Sequence, residues 1–172
     1  MVKIKETYKL SKRTKNQIDK AVKSAFGDIP IVQEITWSQP DFTITFTEEK
    51  ELISFYNVVK RDVSFDRKKV TVAGINNVIT LPEFRGKGYS SKLLSATRYF
   101  LFNELAVDYG LLLCAKELIP FYKKLGWYKV DSSVFFKQPV NKTMQWGAET
   151  MLLSNMETKN YPKEIDLNGF PW

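Results

Sequence analysis

The residues with most chemistry to offer in this 172-residue chain are Arg85-Gly86-Lys87-Gly88-Tyr89-Ser90-Ser91. Glycines let a backbone turn tightly, so that successive N–H groups point inward, and a helix starting there adds partial positive charge. Arg85 and Lys87 add full charges. Such a loop suits an anion, and its natural ligand is a pyrophosphate. It is not a P-loop, because no G-x-x-x-x-G-K-[ST] string occurs. It is not a dinucleotide fingerprint either: Ser91 stands at the third glycine position, and four strand-like segments precede it. The chain has no histidine. That removes Ser-His-Asp and Cys-His pairs, imidazole bases and His-ligated metals. Cys114 is the single cysteine, so no intramolecular disulfide and no CxxC site can form. Lacking an activating partner, Cys114 reads as a small buried apolar residue. No metal site is expected. The chemistry left is that of backbone amides, carboxylates, side-chain amides, hydroxyls and phenols.

The loop must be held by the elements on either side. Val70–Thr80 reads as a strand that Pro82 ends. Residues 89–106 read as one amphipathic helix, with Leu94, Leu101 and Leu105 on a stripe beside Leu93 and Phe100. Upstream, Lys3–Tyr8 alternates like a strand. Ile18, Ala21, Val22, Ala25 and Phe26 then mark a helix face, with Thr14-x-x-Gln17 as capping box and Gly27 as stop. Residues 28–40 read as a loop or broken helix. Phe42–Thr47, Glu51–Val63 and Val70–Thr80 form an antiparallel meander, joined at Glu48-Glu49-Lys50 and Phe65-Asp66-Arg67-Lys68. Downstream come a buried strand at Leu111–Cys114 and a short helix over Ile119–Leu125 closed by Gly126. Further strands are expected from Trp127, at Val134–Phe136 and at Thr150–Leu153. The last sixteen residues are polar and end in Gly169-Phe170-Pro171-Trp172.

The composition is that of a soluble globular domain, 44% apolar and 26% charged. A net charge of +7 suits an anionic ligand. No basic–aromatic stripe or helix-turn-helix pattern points to nucleic acid, and no apolar run is long enough for a membrane. The N-terminus lacks the apolar core of a signal peptide, so a cytoplasmic protein is expected. The length predicts a single domain over 1–172.

Arg85-Gly86-Lys87-Gly88-Tyr89-Ser90 resembles the acyl-CoA signature [QR]-x-x-G-x-[GA] of the GNAT superfamily of N-acyltransferases, with Ser90 departing from the usual Gly or Ala. Thr80-Leu81-Pro82-Glu83-Phe84 looks like the family's strand exit. Phe121-Tyr122-Lys123-Lys124-Leu125-Gly126-Trp127 looks like its F-Y-x-x-L-G-[WF] helix and turn. The element order over residues 1–137 is similar as well. A looser similarity reaches the aminoglycoside 2'-N-acetyltransferase branch, through Ser24-Ala25-Phe26-Gly27-Asp28, Trp37, Asp166 and the final Gly-Phe-Pro-Trp. The resemblance implies an α+β fold: a mixed, mostly antiparallel sheet of six to seven strands, splayed between strands 4 and 5, with helices on both faces.

It also implies an enzyme moving an acetyl group from acetyl-CoA to a primary amine of a small molecule, an aminoglycoside or amino sugar among the candidates. Backbone groups of Val78, Ile79 and Thr80 would pair with pantetheine, and the amides of Arg85–Ser91 would hold the pyrophosphate. Tyr122 would be the general acid for the leaving thiolate. An alkylammonium is only about one part in 10³ neutral at pH 7, a deficit of about 4 kcal/mol, so a base or proton wire is needed. Relatives often carry a glutamate where this chain has Asn76, which can hold a water but cannot take a proton. The base is then a water wire or a carboxylate from elsewhere, with Asp28 and Glu34 candidates by chain position only. Asp28, Trp37, Asp166 and Trp172 would line the acceptor side, with tail 157–172 packed near it. The opposing expectation is a catalytically weak GNAT-like sensor or interaction module that binds acyl-CoA; in either case a monomer or homodimer is expected.

Overall fold

Alternating apolar and β-branched residues build most of the computed structural model, which describes residues 1–172. The strands are β1 (Val2–Glu6), β2 (Phe42–Glu48), β3 (Glu51–Phe65), β4 (Lys68–Thr80), β5 (Tyr109–Cys114), β6 (Tyr128–Val130), β7 (Ser133–Gln138), β8 (Lys142–Gln145), β9 (Glu149–Leu153) and β10 (Glu164–Asp166). The helices are α1 (Lys12–Phe26), α2 (Pro30–Glu34), α3 (Tyr89–Ala96) and α4 (Ile119–Lys123). Strands hydrogen-bond in the order β6-β9-β5-β4-β3-β10-β7-β8, with β2 also on β3 and β1 on β2. Pairs β4–β5 and β7–β10 are parallel. The sheet is mixed and mostly antiparallel, as expected, but it has ten strands rather than six or seven. β10 escapes the sequence because Glu164-Ile165-Asp166 offers one apolar residue and no alternation.

The meander turns are tight. Glu49 and Lys50, and again Asp66 and Arg67, all have positive φ. That is the two-residue hairpin turn whose twist matches the strands. β4 and β5 pair from Val72↔Tyr109 to Ile75↔Leu112 and then stop, although β4 continues to Thr80 and β5 to Cys114. This is the parting expected between strands 4 and 5. Asn77, with φ 51°, interrupts the extended backbone just beyond it.

The chain packs as two units, Met1–Ile35 with Pro40–Val58 and Asn76–Thr97, and Thr36–Gln39 with Val59–Ile75 and Arg98–Trp172. In the first, Ile18 of α1 packs with Leu52, Phe55 and Ile79, flanked by Leu10, Ala21, Val22 and Phe26. Ala25 is exposed rather than part of that face. α1 is capped by Ser11, not by a box starting at Thr14. Ser11 has extended backbone and its Oγ accepts from the Thr14 amide at 3.2 Å. Gly27 ends the helix as expected.

The helix expected over 89–106 is broken. The interruption is at Thr97, after α3 and before residues 98–99, which are helical again; Thr97 Oγ1 bonds back to the Leu93 carbonyl at 2.9 Å and to buried Tyr56 Oη. A threonine hydroxyl turned onto its own helix competes with the backbone ladder there. Residues 100–104 of the second unit form a π-helical turn.

In that second unit, buried Leu111, Leu112, Met151 and Leu152 face one another across β5 and β9. The tail is not a loose polar segment. β10 pairs with β3 and β7, and Asp66 Oδ1 accepts from the Lys163 and Glu164 amides at 3.0 and 2.9 Å. No helix is long and apolar enough to cross a membrane.

Candidate active site

In the first unit, β4 ends at Thr80 and runs through a turn at Pro82–Phe84 into the glycine loop. Gly86 has φ 76° and Gly88 φ 74°, the left-handed region that glycine enters without cost. A Cβ at either position would meet nothing within 4 Å. Glycine is therefore required there by backbone shape, and the loop surface above both residues is open. Gly88 is the N-cap of α3 and no side chain caps the helix. The first-turn amides of Tyr89, Ser90 and Ser91 have no intrahelical acceptors. Open backbone, free helix amides and the nearby Lys87 make a cradle for an anionic group.

The side chains of the loop mostly serve the loop itself. Arg85 Nε donates to the Thr80 carbonyl at 3.1 Å, so part of its guanidinium is spent on closing the turn. Tyr89 packs on Phe46 and Phe84, with ring centroids 5.2 and 6.4 Å away. Lys87 Nζ lies 5.8 Å from the Phe84 ring centroid. Ser90 Oγ lies 2.7 Å from Thr80 Oγ1. Of the expected pantetheine strand, Ile79 turns its side chain into the core, while Val78 and Thr80 are half-buried. Asn76 is the first β4 residue past the last β5 pair, and its Oδ1 is buried with no hydrogen-bond partner. A buried amide oxygen left unpaired costs about 1–3 kcal/mol. Asp28 and Glu34 are exposed.

In the second unit, Tyr122 of α4 is 5% exposed. Its ring meets Phe121 and Trp127, at centroid distances of 4.9 and 6.0 Å. Burial, with the neighbouring Cys114 adding to it, pushes the phenol's pKa well up. The neutral phenol is therefore the favoured form of Tyr122. Cys114 is pushed up to about 11, first by burial and then by the negative charge of Glu149, which stands opposite it across β5–β9. It is an inert thiol, in line with its lack of an activating partner in the sequence.

The acceptor-side residues fare unevenly. The segment carrying Trp37 meets the chain end: the Ser38 amide donates to the Pro171 carbonyl at 2.8 Å, and Ser38 Oγ to the Phe170 carbonyl at 2.8 Å. The Trp37 edge meets Trp146 at 5.9 Å. Asp166 is held in β10, and its Oδ1 accepts the Asn168 amide at 2.8 Å. One of its carboxylate oxygens thus serves a local turn. Trp172 is 3% exposed, with its indole packed against β4. A Cβ on Gly74 would come within 2.2 Å of Trp172 Cε2.

Sequence reasoning missed Arg61, which donates to the Leu167 and Phe170 carbonyls and to Ser38 Oγ, at 3.3, 2.7 and 2.6 Å. It also stands 5.4 Å from the Trp172 ring. No local pattern marks it. Gly74 did carry a signal, since glycine inside a strand often marks a close approach.

The chain belongs to the acetyltransferase (GNAT) domain family, whose model matches residues 9–130. No curated protein is significantly similar to it in sequence. Among solved structures, it is similar to Escherichia coli ElaA, with a TM-score of 0.63 at 15% identity over 90% of this chain and 99% of that one. It is similar to YhbS, a GNAT family N-acetyltransferase from Escherichia coli in complex with CoA, with a TM-score of 0.63 at 9% identity over 98% and 89%. A GCN5-related N-acetyltransferase from Kribbella flavida aligns with a TM-score of 0.55 at 15% identity over 75% of this chain, which spans about a third (34%) of that longer one.

Proposed function

We propose that this protein is an acetyl-CoA-dependent N-acetyltransferase acting on a primary amine of a small molecule. The observation that carries the reading is the loop at Gly86–Ser91: two left-handed glycines over open space, leading into a helix with no side-chain cap. The residues present fit an acyl-CoA. Its pyrophosphate matches the amides of Gly86–Ser91, and its pantetheine matches the backbone of Val78–Thr80, which lies beyond the last β4–β5 pair. Bound acetyl-CoA supplies an activated acetyl thioester with a thiolate leaving group.

The chain's residues then divide the work. The Asn76 oxygen accepts a hydrogen bond from the amine or from a water beside it, which orients the amine lone pair. It cannot remove the proton, so the proton leaves through water. Tyr122 holds a proton at its phenol oxygen for a departing thiolate. Burial further favours the protonated phenol over phenolate.

Thiol release from acetyl-CoA, followed across a panel of aminoglycosides, amino sugars, polyamines and amino acids, tests the proposal. Release that depends on one amine class supports it. CoA binding with no release above hydrolysis for any amine favours the non-catalytic acyl-CoA module, a reading that Asn76 in place of a carboxylate supports.

A further inference from the structure

Ser54 is fully buried within β3, in a run of apolar neighbours. Its Oγ donates to the Ile79 carbonyl at 2.9 Å. Thr80 Oγ1 donates to Ser54 Oγ at 3.0 Å. Ser90 Oγ lies 2.7 Å from Thr80 Oγ1 and 3.5 Å from Ser54 Oγ. A hydroxyl has a single proton, and Thr80 and Ser54 have used their own, so Ser90 must donate. The chain of bonds runs one way, from Ser90 into the Thr80–Ser54 pair and on to the Ile79 carbonyl.

The relay joins three pieces that the proposed cofactor would touch or rest on: the first turn of α3, the end of β4, and the strand beneath. With the Arg85 Nε bond to the Thr80 carbonyl, the loop is anchored to Thr80 at both its ends. The relay also settles what Ser90 offers an anion. Its proton points into the cluster, at Thr80 Oγ1 or Ser54 Oγ, so its amide is the group left to donate. A serine in the place where the family signature has Gly or Ala is then a support for the loop, not a ligand.

We propose that Ser54, Thr80 and Ser90 are positioning residues. Their hydroxyl relay holds the first-turn amides of α3 at a fixed distance from the end of β4, so that pyrophosphate and pantetheine are bound together. This rests on the acyl-CoA reading above. The test is an NMR titration of wild type, Ser90→Ala, Thr80→Val and Thr80→Ser with CoA and with pantetheine, which lacks the pyrophosphate. Ser90→Ala and Thr80→Val should bind CoA about tenfold more weakly, as expected for one displaced hydrogen-bonded anchor. Pantetheine affinity should stay within about twofold, and Thr80→Ser, which keeps the hydroxyl, should restore CoA binding. Unchanged CoA affinity in both hydroxyl-free variants overturns the positioning role. So does an equal loss for CoA and pantetheine, which would mean a general disturbance of β4. A wild-type protein that binds neither overturns the acyl-CoA reading itself, and with it this inference.

Discussion

Gly88 concentrates the residue-scale physics of the loop. Its φ is 74°, and a side-chain carbon added there would have no atom within 4 Å. Any other residue at this position therefore suffers from backbone strain rather than collision. A left-handed L-residue costs about 1–2 kcal/mol. Gly88→Ala should lower stability by about that much and relax the loop, weakening CoA more than its small stability loss suggests. A fully stable variant with a displaced loop, or a collapsed fold, would contradict this. Tyr122→Phe removes the phenol hydroxyl and little packing. It should lower kcat by roughly 10²-fold with acetyl-CoA KM nearly unchanged, the mark of a donor used only in the transition state. Wild-type turnover would leave Tyr122 as a packing residue. Cys114, with its thiol pushed up to about 11, should resist alkylation at pH 8 in the folded protein; rapid labelling would show a more open strand end.

At the scale of elements, the tail is a piece of the sheet. Gly74→Ala forces Trp172 away from β4, because the added carbon would lie 2.2 Å from the indole. Overpacking of this kind costs about 1–3 kcal/mol, read as a lower urea midpoint with an unchanged slope. The elements around the loop were the most legible in the sequence, since Pro82, Gly86, Gly88 and Gly126 each mark a backbone event that few other residues allow. Less could be read where tertiary partners decide. The Ser54 hydroxyl, the grip of Arg61 on the tail carbonyls and the break at Thr97 depend on what the fold brings near them. The same holds for the tail: what Trp172 packs on and what the Asp166 carboxylate accepts depend on the fold.

The whole molecule carries a signature in alkali. Burial holds the phenols of Tyr56 and Tyr122 far above their ordinary range and pushes Tyr128 up to about 12. In the unfolded chain they ionise near pH ~10. Above that pH the unfolded state sheds protons that the native state keeps, so unfolding becomes easier. Stability from these groups is complete below pH ~10 and is lost as pH rises toward the folded values. The urea midpoint should fall steadily between about pH 10 and 12, and a flat midpoint there would mean the rings are more open to water. The same whole-molecule view bears on binding. A surplus of +7 favours an anionic cofactor at long range and slows a cationic acceptor, so acetyl-CoA KM should rise with salt more than acceptor KM does.

The most direct test of the acyl-CoA reading is calorimetric titration of CoA into the wild-type protein and into Gly88→Val, with circular dichroism to establish that both are folded. The expected result is saturable one-to-one binding to wild type and none to the variant, because a branched residue cannot hold the left-handed turn that aims the loop amides. Equal affinity in the two folded proteins, or no binding to wild type, would contradict the assignment of Gly86–Ser91 as the pyrophosphate site.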